Sequence, residues 1–356
     1  MKVGIFSKLG ARGGSEHRCV EMANALIEYT PCDEVVLFCE NDLDHTLQSR
    51  LHPGVRLVKH IFKPLPLNAE ELYTVDSLLI VNSDSQSFTQ LDYWEGRMEK
   101  HHDKFIDVGR IPQMVFLFNF VIGPARHLEH LAQKSPDVRI VCANQYFNHE
   151  INTDVLRFSR IRHLPRIVLQ SPISPAVAFP KSPSDRIRIG RHSMPYAYKF
   201  DRDNARVIDF INSKYGDRVC WDFMGVPQER MAEISDHKNL TIRPVYSMEV
   251  SRYLAGIDIF LFLIEWGRAE PWARSTAEAM MSGCPILATN KAGNKDQVVQ
   301  GNNGFLCDSA SDFIDHLGML IENEGLRKAM SRNSRILAQA FRSDKVVLNY
   351  LDFIRA

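Results

Sequence analysis

Long apolar runs are scarce in this sequence. None reaches the ~18–20 residues that a membrane-spanning helix needs. The two longest, Met114–Gly123 and Ile257–Ile264, are broken by Asn119 and Asp258. The opening Met-Lys-Val-Gly-Ile-Phe-Ser-Lys is too briefly apolar for a signal peptide and reads instead as a buried strand. Cysteines are few and unpatterned. The seven, an odd number, are scattered with no CxxC pair, which argues against a disulfide framework and a structural zinc site. A reducing, cytoplasmic compartment is expected, with thiols such as Cys39 and Cys142 buried inside apolar runs. Net charge is missing as well: 43 Lys and Arg balance 43 Asp and Glu, so the basic excess of a nucleic-acid coat is absent. There is no short-period repeat and no low-complexity tract.

What is present is an ordinary globular composition, 45% hydrophobic and 24% charged over 356 residues, long enough for about two domains. Short apolar runs alternate with longer amphipathic stretches. Strands are expected at Lys2–Phe6, Glu34–Phe38, Val55–Val58, Ser77–Val81, Met114–Phe120, Val138–Cys142 and Arg166–Leu169. A helix over Ser15–Tyr29 buries Val20, Met22, Ala23, Ala25, Leu26 and Ile27. Such alternation implies parallel sheets covered on both faces. Ser171–Ser184 holds four prolines and four serines in fourteen residues, a stiff linker rather than a helix or central strand. Beyond it the alternation restarts: strand Arg186–Gly190, helix Asp203–Tyr215, strands Val219–Met224 and Leu240–Arg243, helix Met248–Gly256, strand Ile257–Leu263, helix Pro271–Ser282 and strand Pro285–Thr289. The tail, about Asp344–Ile354, is a helix whose apolar residues Val346, Val347, Leu348, Leu351, Phe353 and Ile354 suit a return onto the first domain.

Three segments carry candidate chemistry. Gly10-Ala-Arg-Gly13-Gly14-Ser15-Glu16 follows the first strand and opens a helix, where backbone amides and the helix dipole favour an anion. It is neither GxGxxG nor a Walker loop. The same residues also suit a plain strand-to-helix turn capped by Ser15. The second segment, Arg186–Arg206, is rich in cations, and Arg191 and Lys199 follow a strand end, where ligands bind in open α/β sheets. Two cations there suit a diphosphate, although a solvated basic face has the same composition. The third is Glu270-Pro-Trp-Ala-Arg-Ser-Thr-Ala-Glu278. One carboxylate lies in a loop and the other about two turns into a helix opened by Pro271, a residue suited to a first turn. Together they can accept hydrogen bonds from a polyol beside free backbone amides. Asp201-Arg-Asp203 has the spacing of a metal-binding DxD, but it lies in a basic loop and reads as helix capping.

The pattern Glu270-x7-Glu278, followed by Ala279-Met-Met-Ser-Gly283-Cys-Pro285, Ala292-Gly293 and Gly301-Asn-Asn-Gly304-Phe305, resembles retaining glycosyltransferases of the family 4 type (group 1). Gly13-Gly14-x-Glu16 and the pair Arg191 and Lys199 extend the resemblance over nearly the whole chain. It implies an α/β chain of GT-B architecture, two facing Rossmann-like domains with an interdomain cleft. Residues 1–170, completed by a C-terminal helix 340–356, would bind the acceptor, and residues 171–339 a nucleoside-diphosphate sugar. It further implies transfer with retention, with no cofactor and no metal. Glu278 would hold the ribose and Glu270 the transferred sugar. Arg191 and Lys199 would neutralise the diphosphate, with Gly13 and Gly14 adding backbone amides. The donor pocket would be completed by Trp272, Ala273 and Arg274, where Trp272-Ala273 departs from the family's Phe-Gly and Ala292 stands where a glycine is usual. The acceptor-side candidates are Glu16, Asp84, Asn119 and Asn144, while Tyr93 and Trp94 suit either stacking on a sugar or base or packing as core aromatics. The acceptor itself stays open between glycan, lipid-linked sugar, small metabolite and modified nucleic-acid base. So do peripheral membrane contact and oligomeric state. The competing reading is a catalytically inactive sugar-nucleotide or carbohydrate-binding protein on the same fold. An NAD-dependent oxidoreductase lacks its glycine fingerprint.

Overall fold

The computed structural model describes residues 1–7, 13–39, 42–59, 69–81, 108–118, 133, 135–146, 148–149, 163–174 and 184–356. The chain divides into two compact units, Met1–Ser174 with Arg342–Ala356, and Pro175–Phe341.

In the first unit, strands β1 (Lys2–Ser7), β2 (Glu34–Cys39), β3 (Val55–Val58), β4 (Ser77–Ile80), β5 (Met114–Phe118), β6 (Val138–Cys142) and β7 (Arg166–Val168) form one sheet. Their order is β3-β2-β1-β4-β5-β6-β7, and every pairing is parallel. The strands are near-continuous apolar runs because a parallel sheet with both faces covered has no solvent side to alternate against. Val3 aligns with Val35 and Ser77, placing β1 at the centre. The helix Gly14–Tyr29 buries Cys19, Val20, Met22, Ala23, Ala25 and Leu26 against this sheet. The helix Ser343–Arg355 packs in the same core through Val346, Val347, Tyr350, Leu351 and Ile354. It is tied at its start by Ser343 N–H donating to the Ile173 carbonyl at 3.1 Å. At its end the Gln113 amide donates to the Ile354 carbonyl at 3.0 Å, and the Arg139 guanidinium donates to that of Phe353. Leu348, counted among the tail's apolar anchors from sequence, is instead 45% exposed, and the fully buried Tyr350 takes that place.

The second unit contains β8 (Ile187–His192), β9 (Val219–Met224), β10 (Leu240–Arg243), β11 (Ile259–Phe262), β12 (Ile286–Thr289) and β13 (Gly304–Cys307), in the order β10-β9-β8-β11-β12-β13. All pairs are parallel. Among the described residues both sheets therefore show the Rossmann order, which reverses between β1 and β4 and again between β8 and β11. A crevice opens at such a switch point beyond the carboxyl ends of the strands. Helices Asp203–Tyr215 and Ala310–Glu322 share the core of this unit with the strands. The latter is opened by a capping box between Ser309 and Asp312. Strand β13 was not anticipated from sequence. It spans Gly304–Cys307 and opens on a glycine, a residue that usually signals a turn rather than a strand. The expected linker falls largely on residues 175–183, outside the described residues.

Burial predicts the energetics of the last helix. Leu351→Ala should cost about 2–5 kcal/mol through lost contacts and a residual cavity, whereas Leu348→Ala should stay within about 0.5 kcal/mol. Urea denaturation followed by circular dichroism measures both.

Candidate functional site

In the second unit the site is built at the carboxyl end of β8. Gly190 is required for close approach: a Cβ there would lie 2.3 Å from Ile257 Cδ1 and 2.9 Å from the Tyr253 hydroxyl. That hydroxyl accepts the Arg191 amide at 3.1 Å and lies against the carbonyls of Arg191, at 2.8 Å, and Asp222. It thus pins the strand end. The Arg191 side chain is 1% exposed. Its guanidinium donates to the Leu263 carbonyl at 3.2 Å, to Ser193 Oγ at 3.4 Å and to the Lys199 carbonyl, and stacks over Phe200 at 4.6 Å. Burial lowers its pKa to about 9. Sequence assigned Arg191 to the diphosphate. The structure spends these donors on the loops after β8 and β11, so the side chain acts on the segment carrying Lys199.

Lys199 closes a short 3-10 turn, Ala197–Lys199, and its Nζ lies 3.3 Å and 3.2 Å from the two carboxylate oxygens of Glu270. Both side chains are largely buried. Asp201 and Asp203 are occupied elsewhere. Asp201 accepts the amides of Asp203 (2.8 Å) and Trp266 (3.3 Å), and Asp203 accepts the Trp266 indole at 2.9 Å. The DxD spacing thus serves the helix start and its loop.

The segment after Glu270 departs from expectation. The helix begins at Arg274, with Ala273 as its N-cap, not at Pro271. Residues 270–273 instead lie along Gly293, whose amide donates to the Glu270 carbonyl at 3.1 Å. A Cβ on Gly293 would stand 2.1 Å from the Pro271 carbonyl oxygen, so glycine is needed there for close approach. The adjoining Ala292 carries a φ of +32°, a conformation more usual for glycine. Trp272 turns inward, its ring edge-on to Phe341 with centroids 5.5 Å apart, and Ala273 is buried with its carbonyl accepting the Gln297 amide at 3.0 Å. Both side chains thus pack in the core.

Arg274 and Glu278 lie one helical turn apart, with Arg274 Nε donating to Glu278 Oε1 at 2.7 Å. The other oxygen, Oε2, lies 3.4 Å from His192 Nε2. Sequence analysis overlooked His192. The available signal was its place as the last residue of the strand carrying Gly190 and Arg191. Burial first, then Arg274 and Arg191, lowers its pKa to about 3, so the ring is neutral. Trp272 Nε1 and Gln297 Oε1 are buried without a hydrogen-bond partner, and such atoms are costly when left dry.

In the first unit, Gly13 is the N-cap of the helix Gly14–Tyr29, with no side-chain cap. Ser15 is not the cap. Glu16 occupies the third helical position and folds back toward Gly13, as in a capping box. Burial raises its pKa against backbone hydrogen bonds at Glu16 and Gly13. Its carboxylate thus serves the helix start. A Cβ on Gly14 would meet nothing within 4 Å, so packing does not demand a glycine there. Asn144 is fully buried beyond β6. Asp84, Tyr93, Trp94 and Asn119 lie outside the described residues. Among the described residues no three His, Cys, Asp or Glu side chains cluster as a metal site, and no helix is long and apolar enough to cross a membrane.

Residues 230–336 match the family described as Glycosyl transferases group 1. Spore coat protein SA of Bacillus subtilis is 27% identical over 135 residues, 37% of this chain and 35% of that protein. Trehalose synthase of Thermococcus litoralis is 25% identical over 144 residues, 40% of this chain and 34% of that protein. The matched part thus spans about a third of these curated relatives. The crystal structure of Anabaena HepE with UDP and glucose superposes over 100% of both chains, with a TM-score of 0.75 at 14% identity. That likeness is one of fold: GT-B, with two Rossmann-like units.

Two predictions follow from the geometry. Arg191→Met should cost about 1–3 kcal/mol for each carbonyl left without a donor. Arg191→Lys should rescue it only in part, because a single ammonium lacks the guanidinium fork. Chemical denaturation without ligand reads both. His192 has a folded pKa below its ordinary 6.5, so the unfolded chain takes the proton first. Its contribution is complete above pH 6.5 and lost toward pH 3, by about 1.4 kcal/mol per pH unit. His192→Gln should therefore show a shallower acid loss of stability between pH 7 and pH 5.

Proposed function

We propose that this chain, whose residues 230–336 match the group 1 glycosyl transferases, transfers a sugar from a nucleoside-diphosphate sugar to an acceptor hydroxyl, with retention at the anomeric carbon. The observation that carries this reading is the pair of largely buried carboxylates, Glu270 and Glu278, each paired with a cation, Lys199 and Arg274. A carboxylate is an acceptor with room for several hydrogen bonds. Glu278 suits ribose hydroxyls and Glu270 the hydroxyls of the transferred sugar. Lys199 and the N-terminus of the helix Arg274–Met281 supply positive charge for the diphosphate. Arg191 keeps the Lys199 loop in place. Trp272 and Ala273 contribute backbone, since their side chains pack inward. The first unit would bind the acceptor.

A retaining double displacement needs a carboxylate beneath the anomeric carbon and a second group to manage protons. Glu270 and Glu278 are committed to hydroxyls in this reading, so neither serves as that nucleophile. The bond from the anomeric carbon to the diphosphate oxygen breaks, and its electron pair goes to that oxygen. Lys199 and the helix amides stabilise the developing charge. The departing oxygen takes the acceptor's proton while the new bond forms on the same face. No metal enters these steps.

A thermal-shift and hydrolysis screen with UDP-, GDP- and ADP-sugars identifies the donor. Glu278→Ala should weaken the matching nucleoside diphosphate about 10–100-fold, the worth of hydrogen bonds to a charged acceptor. Product NMR in excess EDTA should show an unchanged anomeric configuration. An inverted product would overturn the mechanism, and loss of activity in EDTA the metal-free step.

A further inference from the structure

The loop that leaves β8 carries a pair of tyrosines that the site described above does not use. Tyr196 and Tyr198 hold their rings parallel, with an interplanar angle of 5° and centroids 5.9 Å apart. Tyr196 is 45% exposed. An exposed tyrosine alone is ordinary surface, but three features set this one apart. First, its loop is fixed. Pro195 restricts the backbone before it. The Tyr196 amide donates to the Met194 carbonyl at 2.8 Å, the Lys199 amide to the Tyr196 carbonyl at 2.9 Å, and the Glu265 amide to the Tyr198 carbonyl at 3.0 Å. Second, the stack adjoins the Lys199–Glu270 pair. Lys199 Nζ stands 5.8 Å from the Tyr198 ring centroid and 3.2 Å from Glu270. Third, the Tyr198 hydroxyl makes no hydrogen bond among the described residues. We propose that Tyr196 and Tyr198 form a carbohydrate subsite beside Glu270: the Tyr196 ring takes the C–H face of a pyranose, and the Tyr198 hydroxyl meets one of the sugar's own.

The inference deepens the function proposed above and rests on it. A pyranose is amphipathic: its hydroxyls project around the rim, and its C–H groups lie on a face. An aromatic ring is negative on its face, which attracts polarised C–H bonds, and the contact removes apolar surface from water. A carbohydrate site therefore sets a flat ring beside a few hydrogen-bonding groups. Tyr196, Tyr198, Lys199 and Glu270 supply both side by side. Tyr198 stays a neutral phenol, because burial raises its pKa and the charge of Glu270 adds to this, with Arg268 opposing. Its hydroxyl can both donate and accept, where an ammonium only donates and an ionised carboxylate only accepts. The stack costs little ordering at binding, since the loop's hydrogen bonds and the neighbouring ring already hold Tyr196. The pyranose is either that of the donor or one of the acceptor, and the chemistry that recognises it is the same.

The test has two arms. Calorimetry compares UDP, GDP and ADP with a panel of their hexose conjugates, and the series that binds most tightly is followed. For a donor ring, Tyr196→Ala should lower the affinity of the conjugate relative to its nucleoside diphosphate about three- to tenfold, the worth of an aromatic stack. Tyr196→Phe and Tyr196→Trp should retain it. Tyr198→Phe keeps the stack and removes the hydroxyl, and should lower the same ratio about threefold. For an acceptor ring, methyl glycosides of the same hexoses are added to protein saturated with the nucleoside diphosphate. Saturation-transfer NMR then reads which C–H protons touch the protein, and the signal should vanish in Tyr196→Ala and persist in Tyr196→Trp. A response in either arm supports the subsite and assigns its ring to donor or acceptor. If Tyr196→Ala matches wild type in both arms, or wild type binds the nucleoside diphosphate and is indifferent to every hexose, the inference fails and the nucleotide reading stands. If Tyr196→Ala weakens the nucleoside diphosphate and leaves the ratio unchanged, the ring stacks on a base and the inference fails. If none of the three nucleoside diphosphates binds wild type, the proposed function fails and the inference falls with it.

Discussion

A single buried guanidinium organises the second unit. Arg191 reaches from the end of β8 to the carbonyls of Leu263, beyond β11, and Lys199, in the following loop. Those two strands flank the switch point of the sheet. Loops leaving adjacent parallel strands diverge, and their carbonyls would be buried without donors. A planar fork that satisfies both at once holds the loops together. Through it the position of Lys199, and hence of Glu270 3.2 Å away, becomes a property of the sheet rather than of a mobile loop. The cost is a desolvated cation, visible as a pKa lowered to about 9 and offset by hydrogen bonds and by the Phe200 face.

Around this anchor the packing is close enough that side chains are excluded by contact. Gly190 admits Tyr253 and Ile257, and Gly293 admits the carbonyl of Pro271. The first contact sets where β8 ends, and the second sets where the helix Arg274–Met281 begins. Because residues 270–273 are pressed along Gly293, the helix starts three residues later than a proline suited to its first turn suggests. Local propensity yields here to a long-range contact.

How far the sequence can be read follows from the same distinction. Strands such as Val55–Val58, Val138–Cys142 and Val219–Met224 coincide with their apolar runs, and the helix Asp203–Tyr215 with its periodicity. These signals are local, and burial on both faces makes them strong. Glu270, Glu278 and Lys199 drew notice in the sequence through their place near strand ends and through the family resemblance. Side-chain direction gave no such signal. Nothing local says that Arg191 turns inward, that Trp272 packs on Phe341, or that Glu16 closes its own helix start. His192 escaped because its relevance depends on a residue 86 positions away, brought beside it only when the helix Arg274–Met281 docks near β8.

The charges of the site are arranged in pairs before any ligand arrives. Glu270 is matched by Lys199, and Glu278 by Arg274. An unpaired carboxylate at this burial would be expensive, and its pKa would rise until it took up a proton. Pairing with a cation offsets that cost for both. Each carboxylate retains lone pairs for hydroxyls, and Lys199 retains N–H groups for an oxyanion. A ligand that brings hydroxyls and phosphate together can therefore enter without breaking either pair, supplying donors to the carboxylates and acceptors to the cation. A ligand with only one kind of group leaves the other kind unsatisfied. Under the proposed function, charge pairing at the end of a parallel sheet would favour a molecule that is polyol and polyanion at once.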